Sequence, residues 1–163
     1  MRALAFLVLA GCAAQPLDDI GIACTQDPDC PSDMWCDLRR SDNVCRTLAT
    51  SSPPRLVFDG FVQGQQVVPM ITVKPATVSF GTMRFHNAGN IETYVVVTMT
   101  GPACLDATSL GRSDGDLVNS GQSLDVDFDV DPAAGCASPA TVMITATASG
   151  RSFPFTAMIS IAP

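Results

Sequence analysis

Histidine, lysine and glutamate each occur once in the 163 residues, as His86, Lys74 and Glu92. General acid-base chemistry draws first on such side chains, so their scarcity leaves little for an active site to work with, and no enzyme activity is expected. No Cys-x-x-Cys pair is present, which with a single histidine argues against a structural zinc site, and no other cofactor is expected. No apolar run reaches the roughly 18 to 20 residues that span a bilayer as a helix. Fifteen of the sixteen acidic residues are Asp. Little Glu and Lys beside abundant Val, Thr, Gly and Pro points to strands and turns rather than helices. The formal net charge of −7 excludes the usual electrostatics of nucleic-acid binding and of peripheral binding to anionic lipid.

The first residues have the order of an export signal: a positive start at Arg2, an apolar stretch from Ala3 to Ala10, then small residues at Gly11-Cys12. Leu9-Ala10-Gly11-Cys12 resembles the lipobox of bacterial lipoproteins. The resemblance implies cleavage before Cys12, a diacylglycerol on its sulfur, and a membrane partner held through that lipid. With three acyl chains, at about 0.8 kcal/mol per buried methylene, anchoring is effectively permanent. Ala13 and Ala14 follow where a retention signal would place Asp, and the family's sorting habit then implies the cell envelope, at the outer membrane. Of nine basic residues, loss of Arg2 leaves eight against sixteen acids, a net charge of −8.

Assigning Cys12 to lipid leaves six of the seven cysteines, an even number suited to disulfides in an oxidising compartment. Cys24, Cys30, Cys36 and Cys45 crowd together while Cys104 and Cys136 stand apart, so pairing within each group is the simplest connectivity. The stretch from Cys24 to Cys45 is too polar for an apolar core, and crosslinks must replace one. Its C-x5-C-x5-C-x8-C spacing, with Asp-Pro-Asp-Cys-Pro inside, resembles the Dickkopf-type cysteine-rich modules that follow the lipobox in some bacterial surface lipoproteins. The organisation expected is a signal peptide over 1–11, a lipidated tether over 12–23, a cysteine-rich module over 24–46, a stiff linker over 47–54 and a β-domain over 55–163. The tether, fully extended, reaches about 40 Å at most.

From Arg55 short apolar runs alternate with turns. Strands are expected near 55–59, 65–73, 77–86, 91–100, 122–130, 140–149 and 151–161, with a weak one somewhere in 105–119. Asn87-Ala88-Gly89-Asn90 and Ser149-Gly150 are expected to be hairpin turns. In the last strand Phe153, Phe155, Ala157, Ile159 and Ile161 fall on one face. About seven strands in about 110 residues without a helical period predict an all-β fold, an immunoglobulin-like antiparallel β-sandwich preceded by a small disulfide-rich module. If the weak strand returns the chain to the opposite end, Cys104 and Cys136 meet at one end of the sandwich. The run from Phe85 to Asn90, then Thr100-Gly101-Pro102, then Ser120 to Pro132, resembles the Hydin-like (ASH) and choice-of-anchor D class of Ig-fold domains over roughly Phe85 to Ile161. That resemblance implies a scaffold or adhesion module without a shared active site.

Three features are candidate sites. Asp125, Asp127, Asp129 and Asp131 alternate with Val126, Phe128 and Val130, which places four carboxylates on one strand face, where they must meet solvent or a cation. Calcium is the sharp reading and a solvated face the bland one; the Gly and Glu of an EF-type loop are missing. Gly111-Arg112-Ser113-Asp114-Gly115 matches the G-x-S-x-G of hydrolase elbows, but no helix is expected after it and His86 precedes the serine. Trp35, the lone tryptophan, is expected to pack on the disulfides of its module, or else to stand exposed as a partner contact. The function these features favour is a non-catalytic, membrane-anchored binding or scaffold protein with a protein or glycan partner. A calcium- or carbohydrate-binding role for the Asp row and an inhibitor role for the cysteine-rich module are the alternatives.

Overall fold

In a computed structural model the described residues are 21–38, 43–48 and 51–163. The signal peptide, Cys12 and most of the tether lie outside them. The described residues are all-β, a two-sheet sandwich with a small disulfide-rich module at its amino-terminal side.

The module is built from a 3-10 turn, Asp27–Asp29, and a hairpin of β1 (Met34–Leu38) and β2 (Asn43–Thr47). Residues around Ala23 lie beside β2, where Cys45 N donates to Ile22 O and Cys24 N to Asn43 O. Disulfides join Cys24 to Cys36 and Cys30 to Cys45. The buried cysteines 24, 36 and 45 form the centre of the module, with Ile22, Met34 and Leu38 around them.

The sandwich follows as β3 (Leu56–Gln63), β4 (Gln66–Val68), β5 (Met70–Val73), β6 (Ser79–Asn87), β7 (Thr93–Thr100), β8 (Leu105–Ser109), β9 (Asp116–Val118), β10 (Ser123–Pro132), β11 (Ala140–Ala148) and β12 (Arg151–Ile161). The first sheet has the order β4-β3-β6-β10-β8 and the second β5-β12-β11-β7-β9. Period-two alternation fills the space between them. Val126, Phe128 and Val130 of β10 and Val142 and Ile144 of β11 are all at most 2% exposed. Phe61 lies 5.5 Å from Phe128, and Phe58, Phe85 and Phe155 form a second ring cluster at 5.3 to 6.0 Å. On β12, Ala157, Ile159 and Ile161 are buried and Phe153 and Phe155 half-buried on the shared face.

Several sequence expectations are corrected. The predicted strand 65–73 is two strands, β4 and β5, in opposite sheets. Pro69 separates them, and a residue without an N–H cannot continue a ladder. The weak strand of 105–119 is likewise two, β8 in the first sheet and β9 in the second. The pairing is antiparallel except for β5, which runs parallel to β12. Ser149-Gly150, with φ of 47° and 72°, makes the expected hairpin turn. Asn87 to Asn90 does not: β6 and β7 belong to different sheets, so this turn is a crossing between layers. The buried side chain of Asn87 organises it, donating from Nδ2 to Ile91 O and accepting at Oδ1 from Gly89 N.

The strands run between two poles. Leu56, Asn87, Thr93, Val118 and Ala148 lie at one, where the cysteine-rich module sits. Cys104 opens β8 at the other. Because Leu105 pairs with Pro132 at the far end of β10, Cys136 lies at that pole too. The two are bridged with a Cα separation of 5.4 Å.

Candidate functional site

The Asp row lies on the outer face of the first sheet. Arg84 of β6 opposes Asp125 in register and grips it through two hydrogen bonds, Nε to Oδ1 and Nη2 to Oδ2, each 2.7 Å. The same contact holds the Asp125 carboxyl below the ordinary carboxylate range and raises the Arg84 guanidinium. Thr82, opposite Asp127, donates to its Oδ1 at 2.8 Å. Asp131 faces Asp106 across the β8 pairing. Asp129 stands in register between Phe80 and Thr108, and its Oδ1 is buried without a hydrogen-bond partner among the described residues. Asp125, Asp127 and Asp131 are exposed, and the neighbouring strand adds a guanidinium for Asp125 and a hydroxyl donor for Asp127. Residues 41 and 45 apart in sequence make these contacts, and no local pattern announces them. Among the described residues the one trio of candidate ligand atoms that converges is that of Cys24, Cys30 and Cys36, whose sulfurs are spent in disulfides.

His86, on the same outer face, shares a 2.7 Å hydrogen bond between its Nδ1 and Asp59 Oδ1. Ser113 lies in the exposed turn between β8 and β9, where Arg112 pairs with Asp114. The element after it is strand β9, so the strand-to-helix geometry of a nucleophile elbow is missing.

A junction that sequence reasoning missed joins the cysteine-rich module to the β11–β12 turn. Asp37, fully buried, accepts from Arg46 Nε at 2.5 Å and from Ser149 Oγ at 3.2 Å, and Ser149 shares a further bond with Thr93. Arg151 pairs with Asp27 and lies over the Trp35 ring, 5.7 Å from its centre. Trp35 is 2% exposed and donates from Nε1 to Ser51 Oγ. It is neither an exposed partner contact nor part of the disulfide cluster, because the junction offers its indole N–H an acceptor that the cysteines lack. A Cβ at Gly150 would come within 2.2 Å of Leu38, so the turn needs glycine for this fit as well as for its positive φ. The only local hint was a carboxylate set in the apolar run Met34-Trp35-Cys36-Asp37-Leu38. In the linker, Ser51 N and Oγ both donate to Thr47 O, and Ser52 N and Oγ to Asn90 Oδ1.

At the opposite pole the Cys104–Cys136 bridge fastens two loops, and Ala133 N donates to Cys104 O at 2.8 Å. An open cleft of about 440 Å³ lies along Gly101, Pro102 and Leu105, and another of about 560 Å³ between Pro75, Cys136 and Ile161.

No known protein family matches the chain, and no curated protein does. Solved structures with similar strand arrangements include the secreted serine protease VesC from Vibrio cholerae, at 19% identity and a TM-score of 0.41 over 64% of this chain. The chain spans only 24% of that protease's length. The chaperone DraB of E. coli is similar at 13% identity and a TM-score of 0.40, over 68% of this chain and 55% of its own. The ASH / PapD-like domain of human CEP192 is similar at 10% identity and a TM-score of 0.35, over 65% of this chain and 82% of its own. No activity or partner passes from these structures to this chain.

Proposed function

We propose that the chain is a non-catalytic envelope lipoprotein, held through lipid on Cys12, that serves as a scaffold or adhesion module. The observation that carries this reading is polar: the cysteine-rich module packs against the pole where the chain enters the sandwich, with a cleft of about 240 Å³ at the junction, and the crosslinked loops with the two larger clefts lie at the other. An anchor at the amino end would keep the module near the membrane and turn those loops outward toward a protein or glycan. Three disulfides fit an oxidising envelope, and the missing Asp after Cys12 fits the outer membrane. Cys12→Ser should abolish labelling by a fatty-acid analogue and release the protein from membranes; persistent labelling sinks the anchoring. Crosslinking from Pro102 and Ala137 positions on intact cells should capture a partner, and capture from the module instead would reverse the orientation.

A second reading, cation binding by the Asp row, is favoured by the orphaned Oδ1 of Asp129. Millimolar calcium should then raise the melting temperature by several degrees, with the rise lost in an Asp127→Asn, Asp129→Asn double variant. An unchanged melting curve would leave the row a surface balanced by Arg84.

A further inference from the structure

The outer face of the second sheet differs from that of the first in kind. On β11 the outward residues are Thr141, Met143, Thr145 and Thr147; across the ladder Thr145 meets Thr98, and Met143 meets Thr100 and Thr156. Among the described residues no outward position of β5, β12, β11, β7 or β9 is Asp, Glu, Lys or Arg. Some of its hydroxyls are turned onto the face itself, Thr98 Oγ1 toward Thr145 O at 3.4 Å and Thr156 Oγ1 toward Met143 Sδ at 3.8 Å. Met158 lies beside Met70 in register, and Met70, Met143 and Met158 are 42 to 49% exposed. Thioether side chains of this kind adapt their shape to what covers them.

We infer that this face binds a second copy of the chain in an isologous, face-to-face dimer. Charge selects the occupant. A protein of net charge −7 repels its own kind, and the first sheet presents Asp59, Asp106 and the Asp row. The neutral sheet is where two copies meet without apposing carboxylates, leaving only the long-range repulsion that salt screens. Edge-to-edge pairing is poorly provided for, because the edges of this sheet are β5 and β9, of four and three residues. At the usual strand spacing and rise the five strands cover about 550 Å² per copy. Two copies would bury about 1,100 Å², just above the roughly 1,000 Å² floor for a specific interface, which fits a weak dimer. A two-fold axis through the sheet makes the contact self-complementary and closed.

Sedimentation of the full chain carrying Cys12→Ser, free of lipid and of an unpaired thiol, tests this. Association should strengthen severalfold between about 0.02 M and about 0.5 M NaCl, because screening removes repulsion while no ion pair is lost. Thr145→Asp, or Thr98→Asp on the neighbouring strand, should weaken it at least tenfold with an unchanged melting curve, while Asp106→Asn on the opposite face leaves it intact. A chain that stays monomeric at about 100 µM in both salts overturns the inference. So does a dimer that weakens with salt, or one that survives both Asp substitutions. A monomer that instead binds a polysaccharide or a neutral vesicle through this face, with loss in Thr145→Asp, gives the face to that occupant.

Discussion

The cysteine-rich module and the sandwich close their interiors by different means. The sandwich buries Phe61, Phe85, Phe128 and a full layer of aliphatic side chains, and its one disulfide lies at a pole, at the margin of that core, where Cys136 packs against it. In the module the crosslinked cysteines are themselves the core. Stability therefore resides in apolar burial for the sandwich and in covalent closure for the module. The contact between them is of a third kind, a buried polar network of Asp37, Ser149 and Thr93 beside the Arg151–Trp35 stack. The lone tryptophan sits at this joint, so its fluorescence reports the module while far-ultraviolet dichroism reports the sandwich.

The largest effect should come from replacing Cys24, Cys30, Cys36 and Cys45 with Ser. Each bridge closes a loop of a dozen or so residues and stabilises by about 3 kcal/mol on the chain-entropy view. The module should unfold and the Trp35 emission shift to the red while the sandwich dichroism persists. A sandwich that melts with it would erase the distinction between the two parts. Next, Phe128→Ala should cost about 3 to 5 kcal/mol, since its ring is fully buried against Phe61 and above Gly81. Differential calorimetry should show this loss in the sandwich transition. If the tryptophan signal moves by the same amount, the polar joint couples the two into one cooperative unit.

Asp37→Ala cuts that joint directly. It strips Arg46 and Ser149 of their acceptor, and about 2 to 3 kcal/mol should be lost, less than for a fully buried pair because Arg46 is 26% exposed. The two probes, if coincident before, should separate. An Asp37 variant with coincident, unshifted transitions would show that the network does not bind the parts together.

The smallest effect concerns pH. A carboxyl in each part is held below its ordinary range: Asp125 through the Arg84 side chain, and Asp29 through the side chain and backbone of Thr25. A depressed folded-state pKa contributes stability that is present above the unfolded value, near pH 4, and is lost as pH falls through the folded value. Arg84→Gln should remove the Asp125 share of this acid sensitivity. The share is below about 1 kcal/mol because both side chains are a third or more exposed. Melting curves taken at pH 7 and below pH 4 measure it, and an equal acid loss in the variant would assign the effect elsewhere.

Much of this architecture is legible in the sequence wherever the information is local. The alternation of Asp with Val and Phe in β10 fixes which side faces inward, and Ser149-Gly150 announces a tight turn. Sheet membership is not local. Asn87 to Asn90 reads as a hairpin, and whether the next strand pairs with the last or crosses to the other layer depends on partners dozens of residues away. Pro69 is a visible break, but nothing in the strands beside it says that they part company. The candidate sites show the same limit. The row of carboxylates is evident, but its balancing Arg84 lies 41 residues upstream. Asp37 meets Ser149 across 112 residues, and a tryptophan in a small module reads as core or anchor until the surface that covers it is known.

The pole-to-pole run of the strands has a mechanical consequence. A load applied between the amino end and the loops around Cys104 would pass through the Ser52–Asn90 clamp into β3 and act along the strand axes. Ladder hydrogen bonds lie perpendicular to that axis, so tension would shear them together instead of peeling them one at a time, and the bridge at the far pole would keep the pulled loops from drawing out. A chain strung this way resists extension along its length far better than a tug across its sheets.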